Sequence, residues 1–418
     1  MNKTAKASSS TCARLHIPPN SIVLQRSVML YRNLKGAIFP ERASESGLTN
    51  AAETIRDAII DYCAKCGSNG EFLTAKEYRE SVAQLLRMEL TPENRNEEEE
   101  EDTGLFYTLQ HLPISTEEGV NLERARLVSI HGGSFVAMLN AEDHLTIGAI
   151  CSKNSFREVF DGIRILDHSL DKVTPFASNR TFGFLSPNLD HCGTGILLSA
   201  HVKLIGLSIT RKLDSVFRAL EALGLTITPV YSRDSLIERI YAKRPLSGGP
   251  LETPASEKDA PPPDDDFGGI EAPGFIYRLD YDHEAAGPEA QLAHMEAVLA
   301  ELERQEHKAR CMLTNKPSSL LLHDYFIRAV TIGINAIQLS KSEAIDILST
   351  AIMALQYGIF PAPKRALGKL ESAFQEIVYT STIYPKTPSD EQRHVPYARI
   401  IRADFMKETL SSLAQTIF

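Results

Sequence analysis

The sequence predicts an α+β protein built from a small N-terminal helical piece, a middle region of mixed helices and strands, and a helical C-terminal domain. Three observations support this: helical apolar spacing before residue 64, short β-prone runs between 127 and 204, and long amphipathic patterns after residue 286. The 418 residues suffice for two or three domains. We place them at residues 21–103, 104–285 and 286–418.

The N-terminal region contains one clear helical pattern between Ala51 and Cys63. Its apolar residues recur at helical spacing, namely Ile55, Ala58, Ile59 and Tyr62. Cys63 and Cys66 form a C-x-x-C pair, but no second pair stands at a distance that would complete a tetrahedral zinc site. We therefore expect two helix-borne thiols and no metal.

The middle region alternates between strand and helix patterns. Gly132 and Gly133 split the β-prone run 127–147, which predicts a hairpin. The remaining patterns predict a helix at 155–168, strands at 182–185 and 196–204, a helix at 210–223 that ends at Gly224, and a short strand after it.

The C-terminal region is predicted to be almost wholly helical after a strand at 275–279. Apolar residues recur at helical spacing between Gln291 and Arg310. Ser340 and Glu343 form a capping box, which is followed by an apolar helical pattern that ends at Gly358. This capping box gives the best-defined helix start in the sequence.

Two segments have compositions that oppose packing. The acidic block Glu97–Asp102 repels itself and predicts a solvated loop. Residues 245–273 are rich in proline and lack apolar content, which predicts a disordered insertion.

Charge and hydropathy exclude several classes of protein. The net charge of −10 argues against nonspecific nucleic-acid binding, and no apolar run is long enough to span a membrane. The N-terminus lacks the apolar core of a secretory signal, so we expect a cytoplasmic protein whose partners are proteins or small ligands. P-loop, dinucleotide-binding, zinc-protease and hydrolase signatures are absent.

Four less common motifs follow one another along the chain. They are V-L-Q-R-S-V-M-L-Y-R-N-L from Val23, N-A-E-D-H-L-T-I from Asn140, G-T-G-I-L-L-S-A-H-V-K-L from Gly193, and L-S-K-S-E-A-I-D-I-L-S from Leu339. In this order they resemble the ATP:guanido phosphotransferase (phosphagen kinase) family and, within it, the bacterial protein-arginine kinases. The resemblance covers roughly residues 21–410.

The resemblance implies a fold and a chemistry. It implies an antiparallel sheet flanked by helices, and a site in which arginines and magnesium hold ATP while carboxylates bind a guanidinium. Family members supply the arginines from S-S-R-x-R, D-H-L-R, G-T-G-x-R-A-S and R-G-x-x-G-E.

This sequence departs from the family at most of its charged positions. The family's arginines fall on Ser27, Met29, Thr146 and Leu197, its second carboxylate on Gly268, and the cysteine of T-S-C-P on Asn188. Arg26 and Arg233 are neighbouring arginines, but a one-residue shift in a strand turns a side chain to the opposite face. Glu142 keeps the position of the guanidinium-binding carboxylate, and His201 resembles an adenine-side histidine.

The C-terminal part resembles a phosphoarginine-sensing motif, R-D-x-x-R-A, at Arg399 and Arg402. Ala398 and Arg399 stand where the family has Arg-Asp, so two solvated arginines are the alternative interpretation.

Three functional hypotheses follow from the resemblance. The first is a pseudokinase, without cofactor, that binds client proteins through arginine or phosphoarginine in protein quality control. The second is an active protein-arginine phosphotransferase with a rearranged site, which would use ATP and Mg²⁺. The third is a regulatory subunit that pairs with a kinase paralogue, as a homo- or heterodimer.

Overall fold

The structure is a computed structural model that describes residues 21–67, 70–74, 126–130, 135–151, 155–230, 273–282, 287–314, 319–356, 358, 364–379 and 391–417. The acidic block, nearly all of the predicted insertion 245–273, Gly268 and Arg233 lie outside the described residues.

An eight-stranded sheet is the centre of the fold. Its strands are β1 (Val23–Arg32), β2 (Gly70–Thr74), β3 (Arg126–Ile130), β4 (Phe135–Leu139), β5 (Leu145–Cys151), β8 (Ile196–Lys203), β9 (Thr226–Pro229) and β10 (Ile276–Tyr281). They run in the order β2-β3-β4-β5-β1-β8-β10-β9, and the pairs from β2 to β8 are antiparallel. Strands β6 (Ser178–Asn179) and β7 (Gly183–Phe184) form a separate two-stranded ribbon.

The described helices follow the chain as predicted, with three short additions. They are α1 (Glu45–Cys66), α2 (Phe156–Val173), α3 (Ile205–Ile209), α4 (Leu213–Ala222), α5 (Pro288–Thr314), α6 (Ser319–Asn335), α7 (Lys341–Gln356), α8 (Lys364–Tyr379) and α9 (Glu391–Ile417), and one-turn 3₁₀ helices cover Leu189–His191 and Pro273–Phe275. None of the described helices combines the length and apolar character that a membrane span requires.

Capping explains where two of the helices begin. Ser155 and Glu158 form a reciprocal capping box at the start of α2. The predicted box at α7 is present, because the Ser340 N–H donates to Glu343 Oε2 at 2.8 Å and the Glu343 N–H donates to Ser340 Oγ at 3.1 Å. Orphan amide groups at both helix starts are thereby satisfied.

The N-terminal region differs from the predicted helical piece. Besides α1, it contributes β1, which pairs with β5 and β8 inside the large sheet. Every residue of β1 except Arg26 is buried, so its sequence lacks the apolar–polar alternation by which a half-exposed strand is recognised. The predicted strand at 182–185 is also shorter, because β7 contains only Gly183 and Phe184.

The chain divides into two compact units, which do not coincide with the three predicted ranges. The first contains residues 1–202, 220–227 and 278–304, and the second contains residues 203–219, 228–277 and 305–418. Each unit is assembled from three separate stretches of the chain, whereas the predicted domains are single continuous ranges.

Candidate functional site

Five of the sequence-predicted positions lie on one face of the sheet. In antiparallel register, Met29 is opposite Leu197, Tyr31 is opposite Thr146, and Gln25 is opposite His201. Directly opposed residues share a face, and so do residues two apart on one strand. Ser27, Met29, Thr146, Leu197 and His201 therefore share what we call the site face.

The centre of the site face is apolar. Met29, Tyr31 and Val136 are buried and pack together, and Ile150 and Leu197 pack against them. Two of the four positions on which the sequence analysis places the family's arginines, Met29 and Leu197, thus contribute to a hydrophobic cluster. Burial of these side chains is stabilised by the removal of apolar surface from water.

The arginines of β1 belong to the opposite face. Arg26 is paired with Glu296 at 3.6 Å, and its guanidinium lies 5.8 Å from the centre of the Phe156 ring. Arg32 makes a bidentate contact with Asp167, with Nε–Oδ1 at 2.8 Å and Nη2–Oδ2 at 3.1 Å. Because side chains alternate along a strand, neither arginine reaches the site face.

A polar cluster stands beside the apolar centre, in the turn that joins β4 to β5. Asp143 is fully buried, and its Oδ1 accepts hydrogen bonds from Asn33 Nδ2 at 2.5 Å and Ser186 Oγ at 2.6 Å. The Asn33 Oδ1 accepts from the His144 backbone N–H at 3.0 Å and lies 2.8 Å from His144 Nδ1. Burial lowers the pKa of His144. The turn is held rigidly by these contacts.

His191 connects this turn to the site face. Its Nδ1 lies 2.7 Å from Asp143 Oδ2 and 3.9 Å from Glu142 Oε2. Its ring is stacked on Tyr31, with centroids 3.5 Å apart and planes 4° apart. Since the Asp143 carboxylate can only accept, His191 Nδ1 donates in this contact.

Asp280 supplies another carboxylate on the site face, from β10. Ser199 Oγ donates to Asp280 Oδ1 at 2.5 Å, and the Arg278 Nε lies 2.8 Å from Asp280 Oδ2. Ser199 is opposite Ser27 in the β1–β8 register, which places this contact on the same face. Burial raises the pKa of Asp280, although Arg278 and Ser199 act in the opposite direction.

The charges around Tyr31 are mainly negative. Burial raises the pKa of the Tyr31 hydroxyl, and the carboxylates of Asp143, Asp280 and Glu142 raise it further, whereas Arg278 lowers it. These four charged groups sum to three negative charges and one positive charge when all are ionised. A cation is favoured at such a position and a polyanion is disfavoured.

Sequence reasoning missed His191, Asp280 and Arg278. A signal for His191 existed, because it stands two residues before the Gly193 of the G-T-G motif. Asp280 could have been found by extending the alternation of the predicted strand 275–279 by one residue. Glu142 was predicted, and 38% of its side chain is exposed beside His191.

Two further predicted positions have structural partners. Asn188 Oδ1 accepts from the Asp190 backbone N–H at 3.0 Å and thus caps the 3₁₀ helix. Near it, Cys192 Sγ lies 3.5 Å from the carbonyl oxygens of Ser186 and Asn188. His201 is buried, and its Nε2 lies 3.5 Å from Gln25 Nε2.

The predicted phosphoarginine-sensing pair lies on α9 in the second unit and contacts Leu339, just before α7. Arg402 Nη1 donates to the Leu339 carbonyl at 2.7 Å, and the Leu339 N–H donates to the Arg399 carbonyl at 3.1 Å. Burial lowers the pKa of Lys341 to about 8, and the Arg402 charge acts in the same direction. The Arg402 guanidinium is therefore half-buried beside a second cation rather than freely solvated.

The described residues of the site face do not fit a magnesium-bound triphosphate. The positions predicted to replace the family's arginines, Ser27, Met29, Thr146 and Leu197, carry no positive charge, and the Arg278 guanidinium is already paired with Asp280. Among the described residues, no group of three or more His, Cys, Asp or Glu side chains is placed to hold a metal ion.

Comparison with known proteins gives one family. The family model described as the ATP:guanido phosphotransferase C-terminal catalytic domain matches residues 70–241. The protein-arginine kinase of Clostridium acetobutylicum is 22% identical over 385 residues, which is 92% of this chain and 96% of the relative. That of Clostridium novyi is 23% identical over 402 residues, or 94% of this chain and 96% of the relative.

Solved structures with some likeness include two kinases. The duplicated taurocyamine kinase from Schistosoma mansoni, with bound transition state analog components, has a TM-score of 0.44 and 15% identity over 72% of this chain and 36% of its own. Lombricine kinase has a TM-score of 0.42 and 14% identity over 72% of this chain and 70% of its own. The family model and the near full-length matches thus show that the chain is similar to ATP:guanido phosphotransferases and, among them, to protein-arginine kinases.

Proposed function

We propose that the chain is a protein-arginine-kinase-like pseudokinase, which has lost phosphotransfer and acts as a protein-binding or regulatory module for arginine or phosphoarginine on client proteins. The observation that carries the proposal is the apolar cluster around Met29 and Leu197, on the face where the family's arginines fall. A buried apolar cluster offers no hydrogen bond to a phosphate oxygen.

The size of the loss supports the proposal. A charge-assisted contact contributes about 1.5 to 3 kcal/mol to binding. Replacing four arginines, at Ser27, Met29, Thr146 and Leu197, removes roughly 6 to 12 kcal/mol, or about 4 to 9 powers of ten in affinity. Transition-state stabilisation would fall as well, since phosphoryl transfer depends on positioning and electrostatics.

The remaining charges on the site face suit a guanidinium. Glu142 is partly exposed, and Asp143 and Asp280 add negative charge around Tyr31. A carboxylate can accept a bidentate pair of hydrogen bonds from an arginine side chain. The site has thus kept groups for the acceptor while it has lost groups for the nucleotide.

Isothermal titration with Mg-ATP tests the proposal. We expect no binding heat up to millimolar nucleotide, and the protein-arginine kinase of Clostridium acetobutylicum serves as the positive control. Binding in the micromolar range would contradict the pseudokinase proposal.

A second candidate is an active phosphotransferase, because the relatives that match most of the chain are named protein-arginine kinases. In that case the protein would use ATP and Mg²⁺ and would form acid-labile, arginine-linked phosphate from radiolabelled ATP. Loss of that product in Glu142→Ala would favour this candidate. A regulatory subunit of a kinase paralogue would instead co-purify with that paralogue from the native cell.

A further inference from the structure

Three exposed apolar side chains belong to segments that are linked by hydrogen bonds to the turn that carries Glu142 or to the chain just after its neighbour His191. Ile38, Phe182 and Leu189 are 65%, 67% and 80% exposed, respectively. They come from three separate segments of the first unit, the loop after β1, the β6–β7 ribbon and the 3₁₀ helix. We call these three residues the apolar rim.

Two members of the apolar rim belong to segments that contact the Glu142–His144 turn. The His144 ring is hydrogen-bonded to the backbone of Ile38. Leu189 lies in the same 3₁₀ helix as His191, whose Nδ1 contacts Asp143. The segments that carry Ile38 and Leu189 therefore contact this turn at two different residues, His144 and Asp143.

Phe182 lies in the β6–β7 ribbon, which is hydrogen-bonded to the chain just after His191. The Phe184 N–H donates to the Gly193 carbonyl at 2.8 Å, and the Gly193 N–H donates back at 3.1 Å. A Cβ on Gly183 would clash with the Gly193 carbonyl oxygen, so the ribbon packs directly on the chain two residues after His191. Gly183 also has a φ of 72°, which favours glycine.

We propose that the apolar rim and Glu142 together bind an extended polypeptide segment in which an arginine has apolar neighbours. This inference rests on the proposed arginine binding and adds the sequence context that the site selects. The guanidinium would pair with Glu142, and apolar side chains before and after it would cover Phe182 and Leu189. Charge complementarity with Glu142 and the removal of apolar surface from water would then both stabilise binding of the same peptide.

The charges around the rim favour this occupant. Arg180 and Asp190, both exposed beside Phe182 and Leu189, offset each other in charge. The Glu142 carboxylate, 38% exposed, adds a negative charge that a guanidinium can approach. Exposed apolar side chains that surround a charged group are a common feature of protein-binding surfaces.

Fluorescence anisotropy with four labelled nonapeptides tests the inference. The central residue is arginine or citrulline, and the flanking residues are either leucine and phenylalanine or serine. We expect the arginine peptide with apolar neighbours to bind at least tenfold more tightly than each of the other three. Phe182→Ser combined with Leu189→Ser should abolish the tenfold preference for apolar neighbours, whereas Ile165→Ser, an exposed site on α2 with 62% exposure, should not.

The possible results separate the two proposals. Equal binding of both arginine peptides overturns the apolar rim and leaves arginine binding in place. Equal binding of arginine and citrulline peptides with apolar neighbours overturns arginine recognition. A concentration-dependent dimer in sedimentation that the double variant abolishes would assign the rim to a second copy of this chain and overturn the inference. Because Phe182 and Leu189 are exposed, unchanged urea midpoints should show that the double variant folds.

Discussion

Substitution of Asp143 removes the group that links the β4–β5 turn to the site face. Its carboxylate is fully buried and contacts Asn33, Ser186 and His191 at 2.5 to 2.7 Å. Asp143→Ala deletes all three acceptor contacts and leaves a small cavity. Asp143→Asn keeps the side-chain volume. With its oxygen towards Asn33 and Ser186, the amide keeps those two acceptor contacts but turns an N–H group towards the donor His191.

The expected cost follows from these three contacts. Each hydrogen bond to a charged group contributes about 1.5 to 3 kcal/mol, and donors left unsatisfied in the interior add a penalty. Since the three donors can partly rebond, we expect Asp143→Ala to lower the free energy of unfolding by about 3 to 5 kcal/mol, within the range for breaking a buried network. Asp143→Asn should cost roughly 1 to 3 kcal/mol.

Urea unfolding followed by circular dichroism measures this loss. Asp57→Ala is the matched control, because the Asp57 side chain is 67% exposed and pairs only with its neighbour Arg56. Surface substitutions of this kind usually change stability by less than about 0.5 kcal/mol. If Asp143→Ala lowers the urea midpoint no more than Asp57→Ala does, Asp143 does not stabilise this turn as described.

Three further predictions concern the second unit. Burial lowers the pKa of Lys203 from 10.5 to about 7 in the folded protein. Between these pH values the unfolded chain binds a proton at Lys203 that the folded protein does not, so the free energy of unfolding should rise with pH. Urea midpoints of Lys203→Met should rise less with pH, and an equal rise in the variant and the unsubstituted protein would contradict this. Arg402→Ala should weaken binding of a phosphoarginine peptide at least tenfold by anisotropy, with the exposed Arg365→Ala as control, and equal losses would rule out a specific role. Ser340→Ala should lower the free energy of unfolding by about 1 kcal/mol through loss of the capping box, and an unchanged urea midpoint would refute this.

Local patterns predicted most of the helices and the hairpin. The capping box at Ser340 and the glycine that ends the helix at Gly224 depend on residues close together in the chain, and the structure confirms both elements. Strand β1 escaped prediction because it is buried on both sides, and only its neighbours β5 and β8 show why its polar residues are tolerated. Gln25, for example, is buried opposite His201.

The site required contacts between residues far apart in the sequence. Asp143 and His191 are separated by 48 positions, and Ser199 and Asp280 by 81. Separations of this length produce no periodic pattern within the short stretches of sequence from which helices and strands are predicted. The sequence predicted a guanidinium-binding carboxylate at Glu142, whereas Asp280 was found on the site face only through its contact with Ser199.

The sequence by itself determined the family resemblance and the predicted positions of the missing arginines and of Glu142, because these depend only on which residues follow one another. Only the tertiary structure decided that Met29 and Leu197 complete an apolar cluster, that Arg26 and Arg32 face away from it, and that three carboxylates raise the pKa of Tyr31. The physical reason is that strand register and sheet order assign every side chain to a face, and these depend on pairings across the whole chain.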